Sequence, residues 1–579
     1  MTAKLDSITL EILWNRLISV CNEQQVTLMR TAFSTIVRES QDLACGAFDT
    51  RGFMIAQSLT GTPGHINAMA TGVKHFLSAY PASALKPGDV LVTNDPWQTA
   101  GQINDLTVLT PAFRGERIIG YFASTCHAPD FGGRILSAEA HEVYEEGLRI
   151  PITKLFDRGE PNAELLKIIR ANVRTPDETT GDLYAQISSN AVGVRSLLNF
   201  MDEFGLETID PLADEIISRS ERALRDAIRA VPNGRYENEL WSDGFEEPIL
   251  IKVAVTVEDE DIFIDFAGSS PQSARGINVV LNYTHAYASF AIKAAISPEV
   301  PHNEGSFRPV HVTAPSGSIL NCTEPAAVAS RHLIGHFLPS VIFGALAKAM
   351  PGKLMAGGAE PVWITIWRGG SRTLPVPFLF TLFQLGGAGA RATKDGLSAT
   401  GFPSGVGGVP IEVIESLAPL IVHHRELRED SGGAGKFRGG LGQRTEMGRI
   451  GDAPWSVSAM IDRVKFPGAG LDGGKSGALG EFIVDESARP QPKALTPLRP
   501  DSRVQLNLPG GGGCGKAFER DPKSVLDDVV KGYVSLDSAA RDYRVAVRYL
   551  GTAAQLVRLP EHFAIDESET KRLREGVKK

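Results

Sequence analysis

The feature that most constrains the fold is a change in the spacing of apolar residues along the chain. Helical spacing is found over residues 7–35 and again over 160–230. Elsewhere short apolar runs are broken by glycine, proline and asparagine, and ILIKVAVTVEDEDIFIDFAG, within 235–315, alternates as a hairpin does. Because helical and hairpin patterns occupy separate blocks rather than regular strand–helix repeats, the sequence predicts an α+β fold with antiparallel sheets.

The length of 579 residues exceeds what one hydrophobic core normally serves, so more than one domain is expected. The pattern predicts three parts. They are a mixed N-terminal part, 1–230; a β-rich, glycine-punctuated part, 231–515, with an inserted helix near 327–350; and a helical C-terminal segment, 516–579.

Composition excludes several classes of protein. A net charge of −9 and a pI of about 5.8 argue against a nucleic-acid partner, which needs a basic face. No segment has the length and apolarity of a membrane span, and the N-terminus lacks the apolar region of a signal peptide. The five cysteines are far apart, which indicates a reducing compartment without disulfides. We therefore expect a cytoplasmic location.

Two polar clusters follow strand-like apolar runs. The first, NDPW and GQIND within 94–105, follows VLVT; the second, CHAPDFGG at 126–133, follows IIGYFAST. A histidine beside carboxylates supplies ligands that suit zinc, manganese or iron, and such an ion activates bound water. The spacing alone leaves a second interpretation open, in which Asp95 and Asp130 cap turns and His127 is a buried structural histidine.

Longer strings carry a resemblance to a known family. RTAFSTIVRESQDLACGAFDTRG, NDPW, HAPDFGG, YEEGLRIP, GDLYAQ, PHNEGSFRPV, DSGGAGKFRGGLG, LPGGGGCGKAFERDP and VLDDVVKGYVS occur in order over essentially the whole chain. Together they resemble the hydantoinase B and oxoprolinase family. That family includes N-methylhydantoinase beta subunits, the C-terminal half of 5-oxoprolinase, caprolactamase, and subunits of acetone and acetophenone carboxylases.

The resemblance implies a set of site residues. Asp105 and His127 match the positions that bind a divalent metal ion in the metal-bearing members, whereas Gln102 stands where those members carry histidine. Three explanations stay open. A harder ion binds the Gln102 oxygen; a nearby group such as His65, Asp95 or Asp130 completes the site; or this chain has lost its metal.

The same resemblance assigns catalytic roles. Asp95 and Asp130 are predicted to orient the metal ligands or the water, and His65 lies in a loop that the family places near its site. These roles are implied by the family and not by spacing.

The implied function is that of the B subunit of an ATP-dependent cyclic amide hydrolase. ATP and Mg²⁺ would be bound by a partner A subunit, which phosphorylates the ring carbonyl, so the chain alone would be inactive and work in a hetero-oligomer. Two alternatives stay open: a subunit of an ATP-dependent ketone carboxylase, and a metal-free structural or binding subunit.

Further residues fit either a functional or a structural role. Glu39 and Asp42 suit acid–base work or a salt-bridge network. Glu146 and Arg149 suit a ligand carboxylate or an exposed pair. A larger group fits a structural role in a turn, on a helix face or in tightly packed backbone: Asn303, Glu304, Gly305, Arg331, His332, His336 and Cys514. GAGLDGGKS at 468–476 is not a phosphate loop, because Ala469 replaces the required glycine.

Overall fold

The computed structural model describes residues 6–370, 378–552, 555 and 557–575. Its helices are α1 (Ser7–Thr31), α2 (Thr35–Arg38), α3 (Pro63–Ala79), α4 (Ala163–Asn172), α5 (Pro176–Glu203), α6 (Asp210–Arg229), α7 (Leu281–Ile296), α8 (His332–Gly335), α9 (Leu338–Leu346), α10 (Ile411–Leu417), α11 (Pro522–Val530), α12 (Leu536–Arg541) and α13 (Glu567–Glu575). None of the described helices is both long and apolar enough to cross a bilayer.

A seven-stranded antiparallel sheet forms the N-terminal part. Its strands are β1 (Leu43–Phe48), β2 (Met54–Gln57), β3 (Val90–Thr93), β4 (Asp105–Arg114), β5 (Arg117–His127), β6 (Thr153–Asp157) and β7 (Glu160–Pro161). The order across the sheet is β2-β1-β5-β4-β3-β6-β7. Helices α1, α3 and α5 pack against it, so β4 and β5 are buried along most of their length.

Three four-stranded sheets follow. The first contains β8 (Gly234–Ser242), β9 (Ile249–Glu258), β10 (Asp261–Asp265) and β11 (Val310–Thr313). The second contains β12 (Trp363–Gly369), β13 (Phe378–Gln384), β16 (Trp455–Met460) and β18 (Leu495–Leu498). The third contains β14 (Leu420–Leu427), β15 (Gln443–Arg449), β17 (Glu481–Val484) and β19 (Val504–Asn507), and near the C-terminus β20 (Val547–Tyr549) pairs with β21 (Phe563–Ile565).

The glycine-rich runs pack against one another inside the protein. The N–H of Gly440 donates to the carbonyl of Ala388 at 2.9 Å, and the N–H of Gly511 donates to the carbonyl of Gly440 at 2.9 Å. A Cβ on Gly440 would overlap the Leu397 carbonyl oxygen. These runs are therefore glycine because backbone lies directly on backbone, and they leave no cradle for a phosphate group.

The predicted α+β class is confirmed, and the hairpin predicted within 235–315 is the β9–β10 pair, whose turn residue Asp259 has a φ of 53°. The helix predicted near 327–350 is instead two short helices, α8 and α9. Pro339 lies in the first turn of α9 and cannot donate the hydrogen bond that a continuous helix would need there. The boundaries at 230 and 515 stay predictions, and the segment after 515 holds the β20–β21 pair as well as helices.

Candidate functional site

Strand pairing brings two of the predicted site residues together. Asp105 begins β4, His127 ends β5, and the register of the two strands places them directly opposite each other. Both side chains are buried, and His127 Nδ1 lies 3.0 Å from Asp105 Oδ1. Gln102, in the turn before β4, has its Nε2 3.0 Å from Asp105 Oδ1 and 2.7 Å from His127 Nδ1. The three residues predicted as metal ligands therefore form one buried cluster.

The N-terminus of α3 adds His65 to this cluster. His65 Nε2 lies 3.1 Å from Asp105 Oδ2, and its Nδ1 lies 3.5 Å from Asp42 Oδ1. Asp42 precedes β1 and accepts a hydrogen bond of 2.9 Å from the Thr62 hydroxyl. Of the residues with predicted catalytic roles, His65 is the one that the structure brings to Asp105.

Arg331, just before α8, contacts the same cluster from the opposite side. Its guanidinium donates to Ala100 O at 2.6 Å, to Gln102 Oε1 and to Asp105 Oδ2. Its Cζ also lies 4.1 Å from the centre of the Tyr283 ring, a cation–π distance. The side chain is buried, so this positive charge is held by a carboxylate, an amide, a carbonyl and an aromatic face.

The charges of the cluster shift two pKa values. Burial alone would raise the pKa of Asp105, but the Arg331 and His65 charges hold it well below its usual range. Burial alone would lower the pKa of His65, but the Asp105 and Asp42 carboxylates raise it above its ordinary value. The cluster therefore favours the ionised form of the Asp105 carboxyl and makes the His65 ring easier to protonate than a free imidazole.

Arg331 sets the orientation of the Gln102 amide. Because the Gln102 oxygen accepts from Arg331, its amide nitrogen is the atom that faces Asp105 and His127. His127 Nδ1 lies within hydrogen-bond distance of both that nitrogen and Asp105 Oδ1. Gln102 therefore links the Arg331 guanidinium to the Asp105–His127 pair.

A small cavity adjoins the cluster. Its volume is about 30 Å³, which is room for roughly two waters and not for a substrate ring. Its lining residues are Asp42, Thr62, His65, Gln102, His127, Tyr283, Arg331, His332, His336, Val362, Ile364, Phe383, Ser404 and Val406.

Two neutral histidines face the cluster across this cavity. Burial holds the pKa of His332 well below its usual range and lowers that of His336 to about 3. Neither ring nitrogen of His332 has a hydrogen-bond partner within the described part of the chain. Buried polar atoms are rarely left unpaired, so these nitrogens mark a position for water or substrate.

The arrangement of Gln102, Asp105 and His127 does not fit a divalent cation. Within the described ranges, no group of three or more His, Cys, Asp or Glu side chains could hold a metal ion. The Arg331 guanidinium binds the Gln102 oxygen and one Asp105 oxygen. The Gln102 amide nitrogen lies against the other two atoms that could bind a metal ion, Asp105 Oδ1 and His127 Nδ1. The metal stays a prediction from the sequence.

Asp95 and Asp130 lie apart from this cluster. Asp95 accepts from the Trp97 N–H at 3.0 Å and lies 3.8 Å from Arg149. Asp130 binds the Arg174 guanidinium at 2.7 Å and the Arg174 backbone N–H. In the part of the chain that the structure describes, neither carboxylate contacts Asp105, His127 or Gln102. Their contacts are those of turn and ion-pair residues, and their catalytic roles stay predictions.

Glu146 has a structural role that differs from an exposed pair with Arg149. Its side chain is buried and accepts from the backbone N–H groups of Val328 and Ala329 at 2.6 and 2.7 Å, whereas Arg149 pairs with Glu324. Glu146 therefore fixes the segment that leads to Arg331. Burial raises the pKa of Glu146 to about 8.

This raised pKa predicts a pH-dependent stability. Between the unfolded value near 4.5 and the folded value near 8, the folded chain holds a proton that the unfolded chain has lost. The stability that Glu146 contributes is therefore complete below about pH 4.5 and is lost as the pH rises through 8. In urea titrations between pH 5 and 7.5, wild type should lose about 1.4 kcal/mol per pH unit relative to Glu146→Gln.

The neighbouring residue provides the control for that experiment. A hydrogen bond from the His141 N–H lowers the pKa of Glu145, so Glu145 titrates below this pH range. Glu145→Gln should leave the slope between pH 5 and 7.5 unchanged. Equal slopes for wild type and Glu146→Gln would show that Glu146 is ionised in the folded protein.

Sequence reasoning did not place three residues at this site: Arg331, Tyr283 and His332. Arg331 and His332 were assigned to a helix face, and Tyr283 lies in α7, whose sequence has no polar motif. The available signal was an arginine and two histidines within the otherwise apolar string AAVASRHLIGHFLPSVIF. Charged residues in a buried apolar stretch are usually paired, which is the case here.

The architecture and this cluster define a mixed α+β protein with a buried His–Asp–Arg site at the end of an antiparallel strand pair. The sequence model of the family described as Hydantoinase B/oxoprolinase matches residues 6–517, and the chain belongs to that family. The family predicted from the sequence is thereby confirmed.

Individual relatives agree with this assignment. The chain is 30% identical to a protein of Pseudomonas sp. (strain NS671) described as the B-type component of a D-/L-hydantoinase, over 94% of this chain and 96% of the relative. It is also 30% identical to the caprolactamase beta chain of Pseudomonas jessenii, with the same coverage. The crystal structure of the ATP-dependent caprolactamase from that organism superposes with a TM-score of 0.89 at 27% identity, covering 99% of this chain and 100% of that chain.

A nucleotide-free structure of acetone carboxylase shares the fold. It superposes with a TM-score of 0.86, covering 98% of this chain and 83% of that chain, at 20% identity. Because the identity is low, this likeness describes the architecture alone.

Proposed function

We propose that this chain is the B subunit of an ATP-dependent enzyme that opens cyclic amides of the hydantoin or lactam type. The observation that carries the proposal is its likeness to the beta chain of caprolactamase along nearly the full length of both chains, in sequence and in structure. The net reaction consumes one ATP and two waters. The ring C–N bond breaks and a carboxylate forms, together with an amine from a lactam or a ureido group from a hydantoin, and ADP and phosphate are released.

ATP is bound by a partner A subunit in this proposal. The glycine runs of this chain, which could suggest phosphate loops, are filled by one another: a Cβ on Gly511 would overlap the Ala388 carbonyl oxygen. An amide carbonyl is a poor electrophile because of resonance, and phosphorylation on the partner supplies the missing activation. The B site then receives the phosphorylated intermediate, for which its closed cavity must widen.

The cavity has the groups that the addition of water requires. In this proposal His127 carries a proton on Nε2 and donates a hydrogen bond to the oxygen on which negative charge develops, a role that preorganised donors fill in acyl transfer. His332, neutral and without partners on either nitrogen within the described residues, accepts the proton of the attacking water. The Arg331 guanidinium, which lines the cavity, is fixed by its ion pair with Asp105.

The test uses this chain purified with a co-expressed A-type subunit. ATP-dependent opening of hydantoin and lactam rings is followed by chromatography of the amino acid product together with ADP release. Ring opening is expected with both subunits and with neither alone. ADP release with a ketone and bicarbonate but with no cyclic amide would replace this proposal with the ketone carboxylase.

Variants of the cavity histidines test the assigned roles. His127→Ala should lower kcat about 100- to 1,000-fold through loss of an oxyanion donor, and His332→Phe should lower kcat about 100-fold or more through loss of the base. The matched control is His302→Phe, because both ring nitrogens of His302 are also buried and unpartnered in the described chain, but His302 does not line this cavity. Full kcat in His332→Phe would remove His332 from the mechanism.

A further inference from the structure

We propose that the Arg331 guanidinium replaces a divalent metal ion in the Asp105–His127 site, so that this chain holds a fixed organic cation where its motif predicts a metal. The inference concerns the same site as the proposed function. It is tested by metal content and not by activity, so its failure is distinguishable from failure of the proposed reaction.

Arg331 supplies the positive charge that the Asp105 carboxylate requires. Asp105 is completely buried, and a buried carboxylate needs a nearby positive charge. Arg331 supplies that charge directly, through Nη2 to Asp105 Oδ2, while Nη1 binds Gln102 Oε1. An ion placed between these two oxygens would lie where the guanidinium lies, and the repulsion of two cations in a buried site opposes both being present.

The residues around the Arg331 side chain fit an arginine closely. Gly101 has a φ of +88°, and a Cβ there would lie 2.8 Å from Arg331 Cδ, so a side chain at this position would displace the arginine. Tyr283 presents its ring face to the guanidinium at 4.1 Å, and Ala100 O accepts from Nε at 2.6 Å. A glycine, an aromatic face and a carbonyl thus hold a planar cation, and metal ions do not need this shape.

Glutamine at position 102 suits the contact with Arg331 better than histidine would. An amide offers an acceptor and two donors on one planar group, whereas a neutral imidazole offers one of each. The Gln102 oxygen accepts from Arg331, and its nitrogen donates to Asp105 and lies 2.7 Å from His127 Nδ1. An arginine and a glutamine are therefore complementary here, and the departure of Gln102 from the metal-binding pattern has a structural explanation.

Arg331 acts through its neighbours in this arrangement. It binds Asp105 and orients Gln102, whose amide nitrogen in turn contacts His127. It is a positioning residue, and its effect on His127 replaces the orienting effect that a coordinated ion would have.

The experiment measures metal in the full-length chain. Wild type is expressed in medium supplemented with zinc, manganese and iron, purified by gel filtration, and analysed by plasma mass spectrometry. We expect far less than one ion per chain, and no change in Tm when Zn²⁺ or Mn²⁺ is added. The double variant Gln102→His/Arg331→Ala, which removes the guanidinium and adds an imidazole, should retain an ion and gain several degrees in Tm with metal.

A matched double variant controls for loss of a buried arginine. Arg463 is also buried, binds Glu360 and lies 4.5 Å over the Phe337 ring, so Gln102→His/Arg463→Ala should gain no ion. One equivalent of metal in wild type that is lost in His127→Ala would overturn the proposal. So would a folded Gln102→His/Arg331→Ala variant without metal. If that variant does not fold, the wild-type metal content decides.

Discussion

Arg331→Met is expected to lower the free energy of unfolding by about 3–5 kcal/mol, the usual cost of leaving one member of a buried ion pair without its partner. Asp105 is fully buried and pairs with the Arg331 guanidinium. Methionine fills much of the same volume but offers no positive charge and no donor to Gln102 Oε1. The Asp105 carboxylate must then take up a proton or draw in water.

The measurement is urea denaturation followed by tryptophan fluorescence, for wild type, Arg331→Met, Asp105→Asn and the double variant. If the loss arises from the unpaired carboxylate, the double variant should be less destabilised than the sum of the single variants. The exposed pair Arg16–Glu203 provides the control: Arg16→Met should cost less than about 1 kcal/mol. If Arg16→Met and Arg331→Met lowered the free energy of unfolding equally, the Arg331 guanidinium would not be stabilising the buried Asp105 carboxylate.

The fold class could be predicted because the spacing of apolar residues depends on local secondary structure, and most of the local patterns correspond to the elements that they predicted. The alternation around the acidic turn is the β9–β10 pair, and the helical spacing over 160–230 is α4, α5 and α6. The helix near 327–350 was predicted too long because apolar residues recur at helical spacing on both sides of Pro339. A proline in that position ends the continuous hydrogen-bond pattern, although the apolar spacing continues.

The candidate site was predicted only in part, for a reason of sequence distance. Asp105 and His127 are close in sequence and lie on adjacent strands, so the motif could place them together. Arg331 reaches Asp105 from 226 positions along the chain, and no local spacing encodes such a contact. Asp95 and Asp130 are as close in sequence to the cluster as its members, yet their side chains bind Arg149 and Arg174 instead.

The sequence of the glycine runs predicted tightly packed backbone, and the structure shows which backbone segments pack against each other there. Gly440→Ala is expected to destabilise the protein by more than about 4 kcal/mol, because a methyl group there must displace the Leu397 carbonyl and lies within 2.9 Å of the Ala388 nitrogen. The Gly440 N–H bond to Ala388 would be lost with that shift, and the Gly511 bond to the Gly440 carbonyl would weaken.

Gly408→Ala separates this packing effect from the general effect of replacing glycine. A Cβ on Gly408 meets only the Leu385 Cδ1 at 3.5 Å, an ordinary contact, and its φ is not in the left-handed region. Its free energy of unfolding in the urea titration should stay within about 0.5 kcal/mol of wild type, or rise through the lower entropy of the unfolded chain. If Gly440→Ala behaved like Gly408→Ala, the glycine runs would have room for an added methyl group. The runs would then have space for a nucleotide phosphate, and ATP binding would have to be tested on this chain as well as on its partner.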